Sequence, residues 1–202
     1  MSPDPVTRAY ERAWRSLRGG DADAAVRILR DGLAAPGLTP ADEADLRHLL
    51  GWALEDVGDD AGMVREWLAV RHLDEALDPP RPRLDPEEFE RRATAALREL
   101  PSELRERLKS VAIVIDERPG EAMVRDGVDP RILGLYSGVP YPDRSVLGAG
   151  AFPEVIYLFS RNLDAEAGDE RELAEQIRIT VVHETAHYFG LSDDELAGMG
   201  LA

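Results

Sequence analysis

The chain has 202 residues, of which 44% are hydrophobic, and it carries a formal net charge of −16. Its length allows one or two domains with a real core, and its acidity argues against nucleic acid or an anionic membrane as the main partner. It has no cysteine, which excludes disulfides and thiolate metal ligands. The sequence shows no signal peptide and no apolar run long enough to span a bilayer, which predicts a cytoplasmic protein.

The first part of the sequence predicts helical hairpins. Two Gly-Asp pairs, Gly20-Asp21 and Gly58-Asp59, each stand between two amphipathic stretches. A helix, a Gly-Asp turn and a second helix, repeated once, resemble about two tetratricopeptide repeats. Such a region either contacts a protein partner or serves only for packing, and both interpretations are open at this point. The predicted helices cover residues 6–17, 21–34, 39–57 and 59–77.

A proline-rich stretch at residues 78–83 separates two regions of different composition. Three prolines in four positions cannot continue a helix and favour an extended linker. The preceding region is rich in Ala, Leu and Arg, whereas the following region is mixed. The sequence therefore predicts two domains, a helical repeat region over 1–83 and an α+β domain over 84–202.

The second region alternates helices with short β-branched runs. Segment 117–131, rich in glycine and proline, is predicted as a loop with one helical turn. The last long helix opens with a capping box at Asp169. The pattern predicts a small sheet of three or four strands followed by a functional helix. Helices are predicted over 85–100, 102–108 and 169–189, and strands over 111–116, 132–137 and 155–159.

The last helix carries the pattern HExxHxxGxxD over residues 183–193. His183 and His187 lie one helical turn apart on one face, so their imidazoles can converge on one metal ion. Glu184 follows the first histidine, where a carboxylate can act as general base on a water. The residue types and their spacing predict a catalytic zinc site.

The third metal ligand is expected from the short tail after the helix. Gly190 can end the helix with a positive φ and turn the chain back. Asp193 is then placed to complete the three protein ligands of a catalytic zinc. Asp194 and Glu195 are the alternatives, although Ser192 and the acids after it also resemble the start of a new short helix.

Two further histidines and two tyrosines have side chains that could act in a binding or catalytic site. His48 and His72 lie in charged helical surroundings and are predicted to be surface or half-buried residues. Tyr136 and Tyr157 lie on predicted strands. They could stabilise an oxyanion in the transition state, but tyrosines on strands are usually packing residues.

The region from about residue 85 to 201 resembles a small bacterial family of minimal zincins, described as zinc metallopeptidases. The resemblance implies a compact α+β fold, one zinc ion held by His183, His187 and Asp193, and Glu184 as the catalytic acid and base. Tyr188 stands where family sequences often have a further histidine. The segments that carry the resemblance are 100–104, 111–115, 133–140 and 175–190.

Together, these expectations predict a zinc metalloendopeptidase that hydrolyses a peptide or protein substrate. A metal-activated water would be the nucleophile, with Glu184 as general base. The alternative is a non-catalytic, metal-stabilised module that binds proteins through its N-terminal helical repeats. An open fourth metal position favours the enzyme, and a closed site with four protein ligands favours the alternative.

Overall fold

The computed structural model describes residues 5–79, 81–109, 111–138, 154–192 and 195. The chain divides into two compact units: one ends at Pro79 but also includes Pro119–Arg131, and the other holds the remaining chain. Within the described residues there are nine helices and one small mixed sheet, so the predicted α+β class is confirmed. The predicted domain boundary at residue 83 stays a prediction.

The first unit, here called the helical unit, begins with two helical hairpins. The two Gly-Asp pairs form the turns between the helices of each hairpin. Each glycine adopts a positive φ (79° at Gly20, 77° at Gly58), which residues with a side chain rarely adopt. Asp21 and Asp59 then cap the following helices by accepting a backbone N–H three residues on, each at 2.9 Å. The helices are α1 Pro5–Arg18, α2 Ala22–Leu33, α3 Pro40–Asp56 and α4 Asp60–Leu77.

The core of the helical unit depends on a close approach between α3 and α4. Trp67 is 2% exposed, and a Cβ built on Gly51 would lie 1.9 Å from its Nε1. The indole therefore occupies the space that glycine leaves open. Its Nε1 also donates to the carbonyl of His48 at 3.3 Å, so the buried polar atom is satisfied.

Segment 119–131, which follows the first strand of the sheet in sequence, packs against these helices. It contains the expected helical turn, α7 Glu121–Arg125, whose Val124 is fully buried in the helical core. Arg71 on α4 donates to the carbonyl of Pro119 at 3.0 Å, and exposed His72 lies 3.2 Å from the Glu121 carboxylate. The helical unit thus includes a stretch of chain that is distant in sequence.

Two charged residues anchor the end of this segment. Half-buried His48 and exposed Trp52 on α3 contact the carboxylate of Asp129 at 2.8 Å through Nε2 and Nε1. Arg131 binds both carboxylate oxygens of Asp74 at 2.7 and 2.8 Å. Such bidentate, partly buried pairs are stronger than exposed ion pairs.

Asp129→Asn is expected to destabilise the protein by about 1–3 kcal/mol, because the donors of His48 and Trp52 lose a charged acceptor. Burial raises the pKa of Asp129, but hydrogen bonds from His48, Arg131 N–H and Trp52 outweigh burial and hold it below the usual value. A carboxyl with a lowered pKa contributes stability above its unfolded pKa, about 3.9, and loses that contribution as the pH falls through its folded pKa.

Urea unfolding of wild type and Asp129→Asn between pH 3 and 7 tests this expectation. The difference in unfolding free energy should be largest near neutral pH and should shrink below about pH 4. Asp31→Asn, at an exposed position of the same unit, is the matched control and should show little difference. A difference between Asp129→Asn and wild type that does not change with pH would contradict the assignment.

The second unit combines a three-stranded sheet with helices before and after it. The strands β1 Ala112–Asp116, β2 Gly134–Ser137 and β3 Val155–Phe159 lie in the order β1-β3-β2. β1 pairs parallel to β3, and β2 pairs antiparallel to it, with Tyr136 opposite Ile156. The helices are α5 Pro86–Glu99, α6 Ser102–Leu108, α8 Ser160–Glu166 and α9 Glu170–Tyr188.

Helix α8 is not predicted by the sequence. It begins directly after β3, and its N-cap position, Phe159, offers no side-chain cap. The helix is held instead by distant contacts, since Asn162 donates to the carbonyl of Ile132 at 2.7 Å and accepts from Arg118. A helix without a local start signal depends on its tertiary partners.

Helix α9, here called the HExxH helix, is the predicted long helix. Asp169 caps it by accepting the Glu172 N–H at 2.8 Å. Leu173, Ile177 and Val181 are at most 1% exposed and pack into the core of this unit. Within the described parts of the chain, no helix combines the length and apolarity needed to cross a membrane.

Candidate metal centre

The two histidines of the HExxH helix face each other. Their Nε2 atoms lie 2.9 Å apart, the ring centroids are 4.6 Å apart, and the ring planes are nearly perpendicular at 83°. This is the result expected for residues one helical turn apart on one face. The two Nε2 atoms therefore lie close enough together to bind the same metal ion.

A contact at the helix end orients His187. Its Nδ1 lies 2.9 Å from the carbonyl oxygen of Leu191, which can only accept a hydrogen bond, so Nδ1 carries the proton. Nε2 is then the ring nitrogen that can bind a metal. Leu191 reaches this position because Gly190 adopts φ 84° and ends the helix, as the sequence predicts.

Glu184 is held between the HExxH helix and strand β2. The side chain is 6% exposed, and its Oε2 accepts the backbone N–H of Tyr136 at 2.7 Å. A Cβ built on Gly134 would lie 2.8 Å from Glu184 Cγ and 2.9 Å from Oε1, so a larger residue there would displace the carboxylate. Strand β2 therefore sets the position of this acid.

The tail of the pattern is described only in part. Asp193 and Asp194 lie outside the described residues, so the third ligand stays a prediction. Glu195 accepts the N–H and hydroxyl of Ser192 at 2.8 and 2.9 Å, and these bonds lower its pKa. Glu195 thus acts as the acid of a capping box with Ser192. Within the residues that are described, no three His, Asp or Glu side chains come together as a metal site.

The residues present fit a zinc ion. Two nitrogens at about 2.0–2.1 Å from one tetrahedral zinc lie roughly 3.3 Å apart. The observed Nε2 separation of 2.9 Å is within a small side-chain adjustment of that value. Neutral imidazoles with one tail carboxylate are a donor set that zinc uses in catalytic sites.

The two tyrosines named as candidates from the sequence make packing contacts. The Tyr136 ring packs edge-to-face on fully buried Tyr188, at a centroid distance of 5.8 Å, and the Tyr157 ring stacks on Phe159 at 6.2 Å. Tyr188 also donates to the carbonyl of Arg107 at 3.0 Å, so its buried hydroxyl has a hydrogen-bond partner within the core. An oxyanion role for Tyr136 or Tyr157 stays a prediction.

Sequence reasoning missed the contribution of strand β2 to this site. The Tyr136 backbone N–H and the missing side chain of Gly134 position Glu184, whereas the prediction from the sequence concerned only the Tyr136 ring. A signal was present, because glycine inside a strand often marks a close approach by another group.

The facing histidines, the adjacent acid and a helix packed on a small mixed sheet define the zincin class of metallopeptidases. Residues 108–201 match the family model of zincin-like metallopeptidases. A comparison with curated proteins gives no match. The resemblance inferred from the sequence is therefore confirmed, and the matched family indicates a zinc-dependent peptidase that acts on peptides.

Proposed function

We propose that this protein is a zinc metalloendopeptidase in which His183, His187 and Asp193 hold one zinc ion and Glu184 is the general base. The observation that supports the proposal best is the pair of imidazole Nε2 atoms facing each other at 2.9 Å. Glu184 directly follows His183 on the helix, and the Tyr136 N–H on strand β2 holds its carboxylate in a defined orientation.

The reaction assigned to these residues is hydrolysis of a peptide bond. Zinc, when bound, would polarise the substrate carbonyl and favour attack by water near neutral pH. Glu184 accepts a proton from the attacking water and returns it to the leaving amine. The Tyr136 N–H keeps the carboxylate in place, which removes the cost of ordering it during the reaction.

The alternative is a non-catalytic module that binds proteins through the helical repeats and uses the metal only for stability. The observation that favours this alternative is the pair of helical hairpins with Gly-Asp turns, since repeats of this kind form surfaces that bind protein partners. The two functions differ in activity, because only the peptidase hydrolyses substrate. Zinc-loaded protein should cleave a terminally blocked, unstructured peptide, and a chelator should stop the cleavage until zinc is restored. Failure to cleave any such peptide would favour the alternative.

Removing His187 is expected to weaken zinc binding strongly. His187→Ala deletes one of two converging nitrogens, and we expect zinc affinity to fall by more than about 100-fold, since even residues behind the ligands contribute 10–100-fold. Elemental analysis and competition with a chromogenic chelator measure this change. His72→Ala, at an exposed position of the helical unit, is the control and should bind zinc like wild type. Wild-type zinc affinity in His187→Ala would reject the metal site.

A further inference from the structure

The second unit contains an apolar cavity between helices α5 and α6 and the sheet. Its volume is about 220 Å³, and aliphatic side chains including Leu97, Leu108, Ile113 and Ile156 form its walls. A cavity of about 150 Å³ with such walls holds a ligand the size of benzene. This cavity therefore has room for an aliphatic chain of several carbons.

The remaining lining is strongly cationic. Arg98, Arg105 and Lys109 line the cavity and are exposed to solvent, and no carboxylate is among its described lining residues. Lys109 pairs with Glu106 at 2.6 Å, but both side chains are highly exposed, so the pair neutralises little. A positive cluster of this kind is unusual in a chain with net charge −16.

The two arginines differ from their neighbours in the same unit. Arg83, Arg92 and Arg178 each form an ion pair with a carboxylate. Arg105 instead donates to the backbone carbonyl of Arg98 at 2.6 Å. Within the described part of the chain, neither Arg98 nor Arg105 pairs with an acid. Their charges are available to an anion at the cavity.

We propose that this cavity binds a straight-chain aliphatic carboxylate of about eight carbons. A methylene group is close in size to a water molecule, which occupies roughly 30 Å³, so about 220 Å³ holds about seven chain carbons beside the carboxylate. The aliphatic chain lies against Leu97, Leu108 and Ile113. The carboxylate accepts charge-assisted hydrogen bonds from Arg98 and Arg105. None of the described lining residues belongs to the metal centre, so the proposal is independent of the proposed peptidase function.

Calorimetric titration of the full chain with octanoate tests the proposal. We expect saturable binding at one site, and octanol, which has the same chain without the charge, should bind at least about tenfold more weakly. The double variant Arg98→Gln/Arg105→Gln should weaken octanoate binding by about tenfold or more. Both side chains are exposed, so the variant should fold and show an unchanged thermal midpoint.

The double variant Arg81→Gln/Arg91→Gln is the matched control, because it removes the same charge from exposed positions outside the cavity. It should bind octanoate within about twofold of wild type. Absence of saturable binding, equal affinity for octanol, or equal weakening in both double variants would overturn the proposal.

Discussion

Glu184→Gln is expected to lower peptide hydrolysis by about 10²- to 10⁴-fold, the usual contribution of a general base. Glutamine has nearly the same shape, and its amide oxygen can still accept the Tyr136 N–H that Glu184 accepts at 2.7 Å. It cannot take a proton from the attacking water. The loss should therefore appear in kcat, while the fold and the zinc content stay at wild-type levels.

Steady-state kinetics on a blocked peptide, together with zinc analysis of the same preparation, measure this effect. Glu175→Gln is the matched control, because Glu175 lies on the same helix but is exposed and pairs only with Arg178 among the contacts of the described residues. It should keep full activity. If Glu184→Gln with bound zinc hydrolyses peptide at the wild-type rate, Glu184 is not the general base.

Gly134→Ala is expected to displace Glu184 without touching the histidines. The added methyl would lie 2.6 Å from Thr180 Cγ2, 2.8 Å from Glu184 Cγ and 2.9 Å from Glu184 Oε1. Either strand β2 or the carboxylate must move, at a stability cost of about 1–3 kcal/mol. A shift of about 1 Å in a reacting group can lower the rate roughly 10²-fold.

The expected signature is a lower kcat and a lower unfolding midpoint with unchanged zinc affinity. Gly120→Ala is the matched control, since a Cβ there meets no atom within 4 Å of the described structure and its φ of −64° suits alanine. NMR of the Tyr136 backbone N–H tests the same effect without an activity assay. Its resonance should shift when the hydrogen bond to Glu184 is lost. An unchanged resonance and full activity in Gly134→Ala would show that this glycine does not position the acid.

Local spacing in the sequence determined the elements and the pair of histidines. Caps such as Asp21, Asp59 and Asp169 act on backbone groups three residues away, and His183 and His187 share a face because of the helical period. These interactions join residues that are near in sequence, so they can be recognised from composition and spacing.

Only the tertiary structure decided which distant groups meet. Glu184 is held by the backbone of Tyr136, which lies 48 positions earlier, and segment 119–131 joins the helices through Asp129 and Arg131. Helix α8 also forms without a local cap. Every residue except proline has a backbone N–H, so no residue type marks the N–H that will bind the Glu184 carboxylate. The packing of the HExxH helix on the sheet creates that contact.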